Sequence, residues 1–291
     1  MLTTLLSLLA VETLFSPPAS TPPTPTVNNL TIPVNPFPEI RPTALAPVLK
    51  SKSVISIDLA TGRILYQSDP TAPLPMASLT KLMTALIILE ENTLDDQVTV
   101  DKLATQVEPA KMSLLAGEKI TVRELLKGLF IKSANDAAIA LAIYNSKTSE
   151  AFVEKMNKRA TDMHLHDTHF ANPVGFDDPA QYSSAADLAI LARAVYRKPI
   201  VQKIAALQEA DATSIDGRQI HHLTTTNELL GSYLHVLGLK TGTTDEAGQC
   251  LISIVENENG NKILNVMLGS NDRFRETKIL SQWLFDNINW I

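Results

Sequence analysis

The stretch MASLTKLMTALIILE, residues 76–90, places a lysine inside an otherwise apolar helix. From Leu79 onward the apolar residues recur as Leu79, Leu82, Met83, Leu86, Ile87 and Leu89, the spacing of a helix covered on most sides. An ammonium buried there is destabilising unless it is paired or used. Ser78 lies three residues before Lys81, so a helix opened by Ser78 carries both on one face. Two readings follow: a nucleophile with its base, or a serine cap beside a lysine that snorkels to solvent. S-x-x-K does not choose between them, because a chain of this composition contains about one by chance.

Two further motifs lie downstream. Ser133-Ala134-Asn135 sits in a short polar break between two helical patterns, and Lys240-Thr241-Gly242 ends a strand-like run near the C-terminus. S-x-N is as common by chance as S-x-x-K, whereas K-T-G is expected only about one time in twenty. The chemistry they allow is definite. A serine hydroxyl is a poor nucleophile near neutral pH and needs a base to take its proton. Lys81 is within reach, and a low-dielectric setting with a second cation, for which Lys240 is the candidate, would lower its proton affinity enough.

The rest of the chain bounds this reading. Of 291 residues, 45% are hydrophobic and 19% charged, a globular composition. The balance of 25 basic against 31 acidic residues, net −6, argues against nucleic-acid binding through a basic patch. A single cysteine, Cys250, excludes an internal disulfide and a cysteine-based zinc site. Residues 1–15 hold an apolar run of signal-peptide length, without a preceding basic residue and interrupted by Glu12; it is read as a signal-like or membrane-proximal segment. Residues 16–48 contain ten of the 17 prolines and read as an extended Pro/Thr-rich linker. Residues 49–291 remain for the catalytic domain.

Within that domain, SVISIDLATGRILYQSD (53–69) reads as a β-hairpin turning at Ala60-Thr61-Gly62. Residues 94–120 read as mixed loop. TVRELLKGLFI (121–131) is an amphipathic helix with capping-box spacing between Thr121 and Glu124. Helices follow after KSAND and over 151–163 and 184–196. YLHVLGLKTGTT, QCLISIVEN and KILNVMLGS read as strands, and ETKILSQWLFDNI (276–288) as a closing helix. Strands at both ends with helices between predict an α+β fold: one sheet built from the two chain termini, with a helical subdomain inserted.

PMASLTKLMTA, SANDAA, MNKRATDMHLHDTHFANPVGFDD, QYSSAADLA, TTTNELL and GLKTGTTDEAG together resemble the low-molecular-mass penicillin-binding proteins, the serine-type D-alanyl-D-alanine carboxypeptidase family, from about residue 50 onward. The resemblance implies a β-lactamase/transpeptidase-like fold, an antiparallel sheet flanked by helices with the active site in the groove beside the helical subdomain. It implies that Ser78 attacks the carbonyl between two D-alanines at the end of a peptidoglycan stem peptide, and that β-lactams acylate the same serine. Lys81 is then the base. Ser133 bridges the two lysines and relays a proton, and Asn135 holds Lys81 and the substrate amide. Lys240, Thr241, Gly242 and Thr243 bind substrate, with the backbone N–H groups of Ser78 and Thr243 as oxyanion hole. Arg273 is the candidate for the substrate carboxylate, with Arg275 close by. No cofactor or metal is implied, and the site of action is outside the cytoplasmic membrane, with an N-terminal membrane association.

Three other activities share these motifs. A D,D-endopeptidase would cut cross-links with the same residues. A class A β-lactamase would need a glutamate-held water, and no E-x-x-L-N segment occurs between Asn135 and Lys240. A non-catalytic penicillin sensor would acylate without turnover. Elsewhere, His164, His166 and His169 have spacing that can bind zinc, but the segment matches a metal-free stretch of the family. His221-His222 would point apart in a strand, and Cys250 reads as core.

Overall fold

The computed structural model describes residues 38–41 and 44–290; the signal-like segment and most of the linker lie outside the described residues. Strand β1 (Glu39–Ile40) falls inside the proline-rich stretch and pairs antiparallel with the final strand, Glu39 opposite Asn289. The folded unit therefore begins before residue 49. Proline spacing allows this, since Glu39-Ile40-Arg41 is a proline-free gap in which Ile40 and Arg41 keep their N–H groups.

The expected hairpin forms as β2 (Ser53–Asp58) and β3 (Ile64–Ser68). Its turn is fixed by the Asp58 carboxylate, which accepts the Thr61 N–H at 2.7 Å, and by Gly62 at φ +80°. Ser78 does not open the next helix. Residues Ala77–Thr80 form a separate 3-10 turn, and α1 (Lys81–Glu91) starts at the lysine itself.

The segment expected to be loop holds short structure instead: β4 (Gln97–Thr99), the one-turn α2 (Lys102–Thr105) and β5 (Lys119–Thr121), with β4 and β5 paired. Three-residue strands are too short for a period to be read from sequence. Next come α3 (Val122–Ile131), α4 (Asn135–Ser146), α5 (Ser149–Asp162), α6 (Ala185–Tyr196) and α7 (Pro199–Ala205). Side-chain oxygens of Thr121, Thr148 and Ser184 accept the N-terminal amides of α3, α5 and α6. Proline at the first position of α7 suits its start. A hairpin, β6 (Glu209–Thr213) and β7 (Ile220–Thr224), follows and packs on α3.

The final third gives β8 (His235–Thr244), β9 (Gly248–Glu256), β10 (Lys262–Ser270), α8 (Arg273–Asn287) and β11 (Ile288–Asn289). The main sheet has the order β3-β2-β10-β9-β8, antiparallel throughout, so the two chain ends do share one sheet. Both of its faces are covered. On β10, Leu264, Val266 and Leu268 join the core shared with α1, α3, α4 and α6, whereas Ile263 and Met267 join the core under α8 with Leu280 and Leu284. Alternation is present but invisible in polarity, because each parity meets an apolar layer. Each such aliphatic side chain contributes about 1.5–3 kcal/mol by leaving water. Strand β8 ends the sheet and packs against the turn that carries Ser78. No helix among the described residues is long and apolar enough to cross a membrane.

Candidate active site

Three segments converge where β8 meets the helical insert. The first is the Ser78 turn. Ala77, just before the serine, adopts φ +49°, a left-handed conformation that is strained for a residue with a Cβ. Two glycines let neighbouring backbone close in on this turn. A Cβ on Gly175 would lie 2.0 Å from the Ala77 carbonyl oxygen, and one on Gly242 would lie 3.0 Å from both Ala77 Cβ and Ser78 N. The glycine of K-T-G is thus required by packing against the serine's own amide.

Lys81 is completely buried, yet hydrogen bonded in every direction. Its Nζ lies 2.8 Å from Ser78 Oγ, 2.7 Å from Asn135 Oδ1 and 2.6 Å from the Val174 carbonyl. Two of these partners can only accept. A neutral amine has two N–H bonds and one lone pair, so with the N–H groups committed to Asn135 and Val174 its lone pair points at the one partner that can donate, the Ser78 hydroxyl. The electrostatics push the same way: burial and then the charge of Lys240 hold Lys81 well below the ordinary lysine range, with Asp136 opposing. Lys81 is therefore arranged as a proton acceptor for Ser78.

The second segment is S-A-N. Ser133 is in the left-handed region (φ +58°), which turns its hydroxyl towards β8, where it accepts from Lys240 Nζ at 2.7 Å. The expected bridge from Ser133 to both lysines is half present: Lys81 is held by Asn135 instead. Asn135 is not in a loop either. It is the first residue of α4, its Nδ2 donating to Pro109 O at 2.9 Å and its backbone N–H to Ala110 O at 2.7 Å. That leaves Oδ1 facing Lys81.

The third segment is the end of β8. Lys240 is buried, and donates to Ser133 Oγ and to Thr241 O at 2.8 Å. Burial, followed by the nearby Arg273 guanidinium, lowers it to about 7. Arg273 opens α8 and reaches back across the sheet, its Nη1 donating to Gly242 O at 2.6 Å and Thr243 Oγ1 at 2.5 Å. Thr241 Oγ1 lies 2.5 Å from Thr226 Oγ1. All nine residues singled out in the sequence are thus brought into one cluster.

Sequence reasoning missed four contributors. Val174 O and Gly175 act through backbone, which no side-chain motif reports. Thr226 carries no signal of its own. Asp136 could have been noticed as an acid opening an apolar helix; it is fully buried and accepts the N–H groups of Met112, Ser113 and Leu114 at 3.0, 2.9 and 3.1 Å. Of the histidines with zinc-like spacing, His169 has other partners, its Nδ1 lying 2.6 Å from Ala180 O and its ring stacking on Tyr182, while the His164 and His166 rings lie 6.0 Å apart. Cys250 is buried, as its strand pattern implies, and burial pushes its thiol up to about 11.

The family model for D-alanyl-D-alanine carboxypeptidases, peptidase family S11, matches residues 41–272. This chain belongs to that family. D-alanyl-D-alanine carboxypeptidase DacF of Bacillus subtilis is 35% identical over 235 residues, covering 79% of this chain and 60% of the relative. D-alanyl-D-alanine carboxypeptidase DacC of Escherichia coli is 34% identical over 258 residues, covering 84% and 63%. The chain thus spans about three fifths of the length of these curated relatives. Among solved structures, the Streptomyces K15 DD-transpeptidase superposes with a TM-score of 0.78 at 29% identity, covering 83% of this chain and 99% of that one. A penicillin-binding protein homologue from Mycobacterium tuberculosis gives 0.78 at 29%, covering 85% and 96%. The fold is that of the penicillin-binding D,D-peptidases.

Proposed function

We propose that this chain is a serine-type D-Ala-D-Ala carboxypeptidase, which removes the terminal D-alanine of peptidoglycan stem peptides and is acylated by β-lactams. The observation that carries the reading is the Lys81 amine, 2.8 Å from Ser78 Oγ with its other bonds ending on pure acceptors. Ser78 Oγ attacks the carbonyl between the two D-alanines as its proton passes to Lys81. The amide N–H groups of Ser78 and Thr243 receive the oxyanion. Collapse breaks the C–N bond, and the leaving nitrogen takes the proton that Lys81 accepted from Ser78. Water then hydrolyses the Ser78 ester. Lys240, Thr241, Thr243 and Arg273 hold the terminal carboxylate, the two cations giving the site its charge preference. Family membership and the named activity of the relatives support this assignment.

The substrate lies outside the cytoplasmic membrane, so the enzyme acts there, with residues 1–15 as the export or membrane-proximal segment and 16–48 as spacer. Two incubations test the function. A pentapeptide ending in D-Ala-D-Ala should lose one D-alanine, and a cross-linked dimer should be cut more slowly. Labelling by a fluorescent penicillin should vanish in Ser78→Ala. Labelling that survives that change, or a dimer cut faster than the pentapeptide, would refute it.

A further inference from the structure

The neighbouring histidines of β7 leave the strand on opposite faces. His222 is exposed and pairs with Asp211 at 2.6 Å, whereas His221 is buried. Both ring nitrogens of His221 face acceptors: Nδ1 lies 3.0 Å from Met112 O, and Nε2 lies 2.8 Å from Glu118 Oε1. Glu118 is buried too, and its Oε2 accepts the Leu115 N–H at 3.0 Å. A peptide carbonyl only accepts, so the proton on Nδ1 is committed to Met112. The second contact needs one more proton, carried by Nε2 or by the carboxyl group. Without it, two lone pairs face each other at 2.8 Å in a buried site.

Met112 belongs to the segment 108–118 that underlies S-A-N. This segment supplies the Pro109 and Ala110 carbonyls that orient Asn135, and the three amides that meet Asp136. Ala110 and Ser113 take left-handed conformations, φ +47° and +70°, so its shape has to be imposed by its surroundings. Met112 is gripped from two sides, its N–H by Asp136 and its carbonyl by His221. A continuous set of bonds therefore runs from Glu118 through His221 and segment 108–118 to Asn135, and from Asn135 Oδ1 to Lys81.

We propose that His221 and Glu118 form a latch, closed by one shared proton, that positions Asn135 and through it Lys81. His221 is a positioning residue, since it touches neither nucleophile nor base. The other ionisable groups on elements packed against β7 are engaged elsewhere or exposed. On α3, Glu124 pairs with Lys127 and Arg123 with Asp95. On β6, Asp211 pairs with His222 and Glu209 is exposed; Lys119 of β5 is exposed, Lys111 of segment 108–118 pairs with Glu108, and Asp136 of α4 is engaged by the Met112, Ser113 and Leu114 amides. The latch opens as pH rises and the shared proton is lost.

Glu118→Gln reverses this sign. The amide oxygen accepts from Leu115, the amide N–H donates to Nε2 of a neutral imidazole, and Nδ1–H still meets Met112. That variant is closed at high pH and opens when His221 gains a second proton. The test compares wild type, Glu118→Gln and His221→Phe over pH ~5–9. It reads amide hydrogen exchange at Met112–Leu114 and the rate of acylation by fluorescent penicillin. The ratio of Glu118→Gln to wild type, in which Lys81's own titration cancels, should rise by roughly fivefold or more from low to high pH, both in acylation rate and in amide protection. His221→Phe should be unprotected and slow throughout. A pH-independent ratio, or His221→Phe with wild-type protection and rate, overturns the latch. The kinetic readout rests on the proposed reaction, whereas hydrogen exchange does not. A wild type that penicillin fails to acylate would sink the reaction and leave the latch to be decided by exchange. Should His221→Phe not fold, the ratio decides alone.

Discussion

Gly242→Ala adds one methyl group where β8 presses on the nucleophile turn, and its effect can be worked from the contacts. The new Cβ would stand 3.0 Å from Ala77 Cβ, 3.0 Å from Ser78 N and 3.2 Å from Met76 O. Non-bonded carbon prefers about 3.5–4.0 Å, so the two backbones must separate by roughly half an ångström. Neither can yield easily, because β8 is bonded to β9 along its length and Ala77 is already strained. Misplacing reacting groups by about 1 Å can lower a rate a hundredfold, so half of that predicts about tenfold slower acylation of Ser78. Overpacking of this kind costs about 1–3 kcal/mol, or a fall of several degrees in Tm at roughly 2–4 °C per kcal/mol. Stopped-flow penicillin acylation and thermal unfolding read the two effects. Acylation at the wild-type rate with a lowered Tm would refute the argument, since β8 would then not be a wall of the reacting centre.

Lys81→Met should reduce acylation by about 10²–10⁴-fold, the usual contribution of a positioned base, while penicillin still binds reversibly; acylation within tenfold of wild type would remove Lys81 from the role. Lys240 is held at about 7 when folded, against an ordinary lysine value of about 10.4 when unfolded, so between these limits the unfolded chain binds more protons. Stability therefore rises with pH from about 7 to 10.4 and is level below that window, and Lys240→Met should flatten the slope in urea-unfolding free energies by as much as about 1.4 kcal/mol per pH unit. Arg273→Gln removes the neighbouring cation, so Lys240 should titrate higher; with peptides ending in a free carboxylate KM should rise about tenfold, and with the amidated peptide it should hardly change. Equal effects on both peptides would exclude a carboxylate role for Arg273.

What could be read from the sequence depended on where the determining interaction lies. The hairpin at 53–68, the three long C-terminal strands and α3, α5, α6 and α8 carry their signal in local period, turn residues and caps, and each was legible. The short strands β4 and β5 and the one-turn α2 take their shape from tertiary pairing. So does β1, which a proline-rich composition disguised and which exists because Ile288–Asn289 offers a partner. The site was legible as a list of residues but not as a geometry. Sequence placed Ser78 at the start of one helix with Lys81 a turn on, whereas Ser78 lies inside a separate 3-10 turn that runs into α1 at Lys81. It gave Ser133 both lysines, whereas Ser133 meets Lys240 alone and Lys81 is held by Asn135, the contact that the resemblance implied. Val174, Gly175 and the underlying segment 108–118 contribute backbone groups, and a peptide carbonyl has no signature in a one-letter code.

The opening puzzle of a lysine in an apolar helix resolves into a gradient of burial and charge. Arg273 is half-buried, whereas Lys240 and Lys81 are both buried, Lys81 beside the nucleophile. Each cation lowers the proton affinity of the next one inward: Arg273 acts on Lys240, and Lys240 on Lys81, in each case after burial itself. The two cations that the proposed function gives to the substrate carboxylate are thus the same two whose charge, in series, lowers the proton affinity of the base at Ser78. A single lysine beside a serine, however well placed, would lack that coupling.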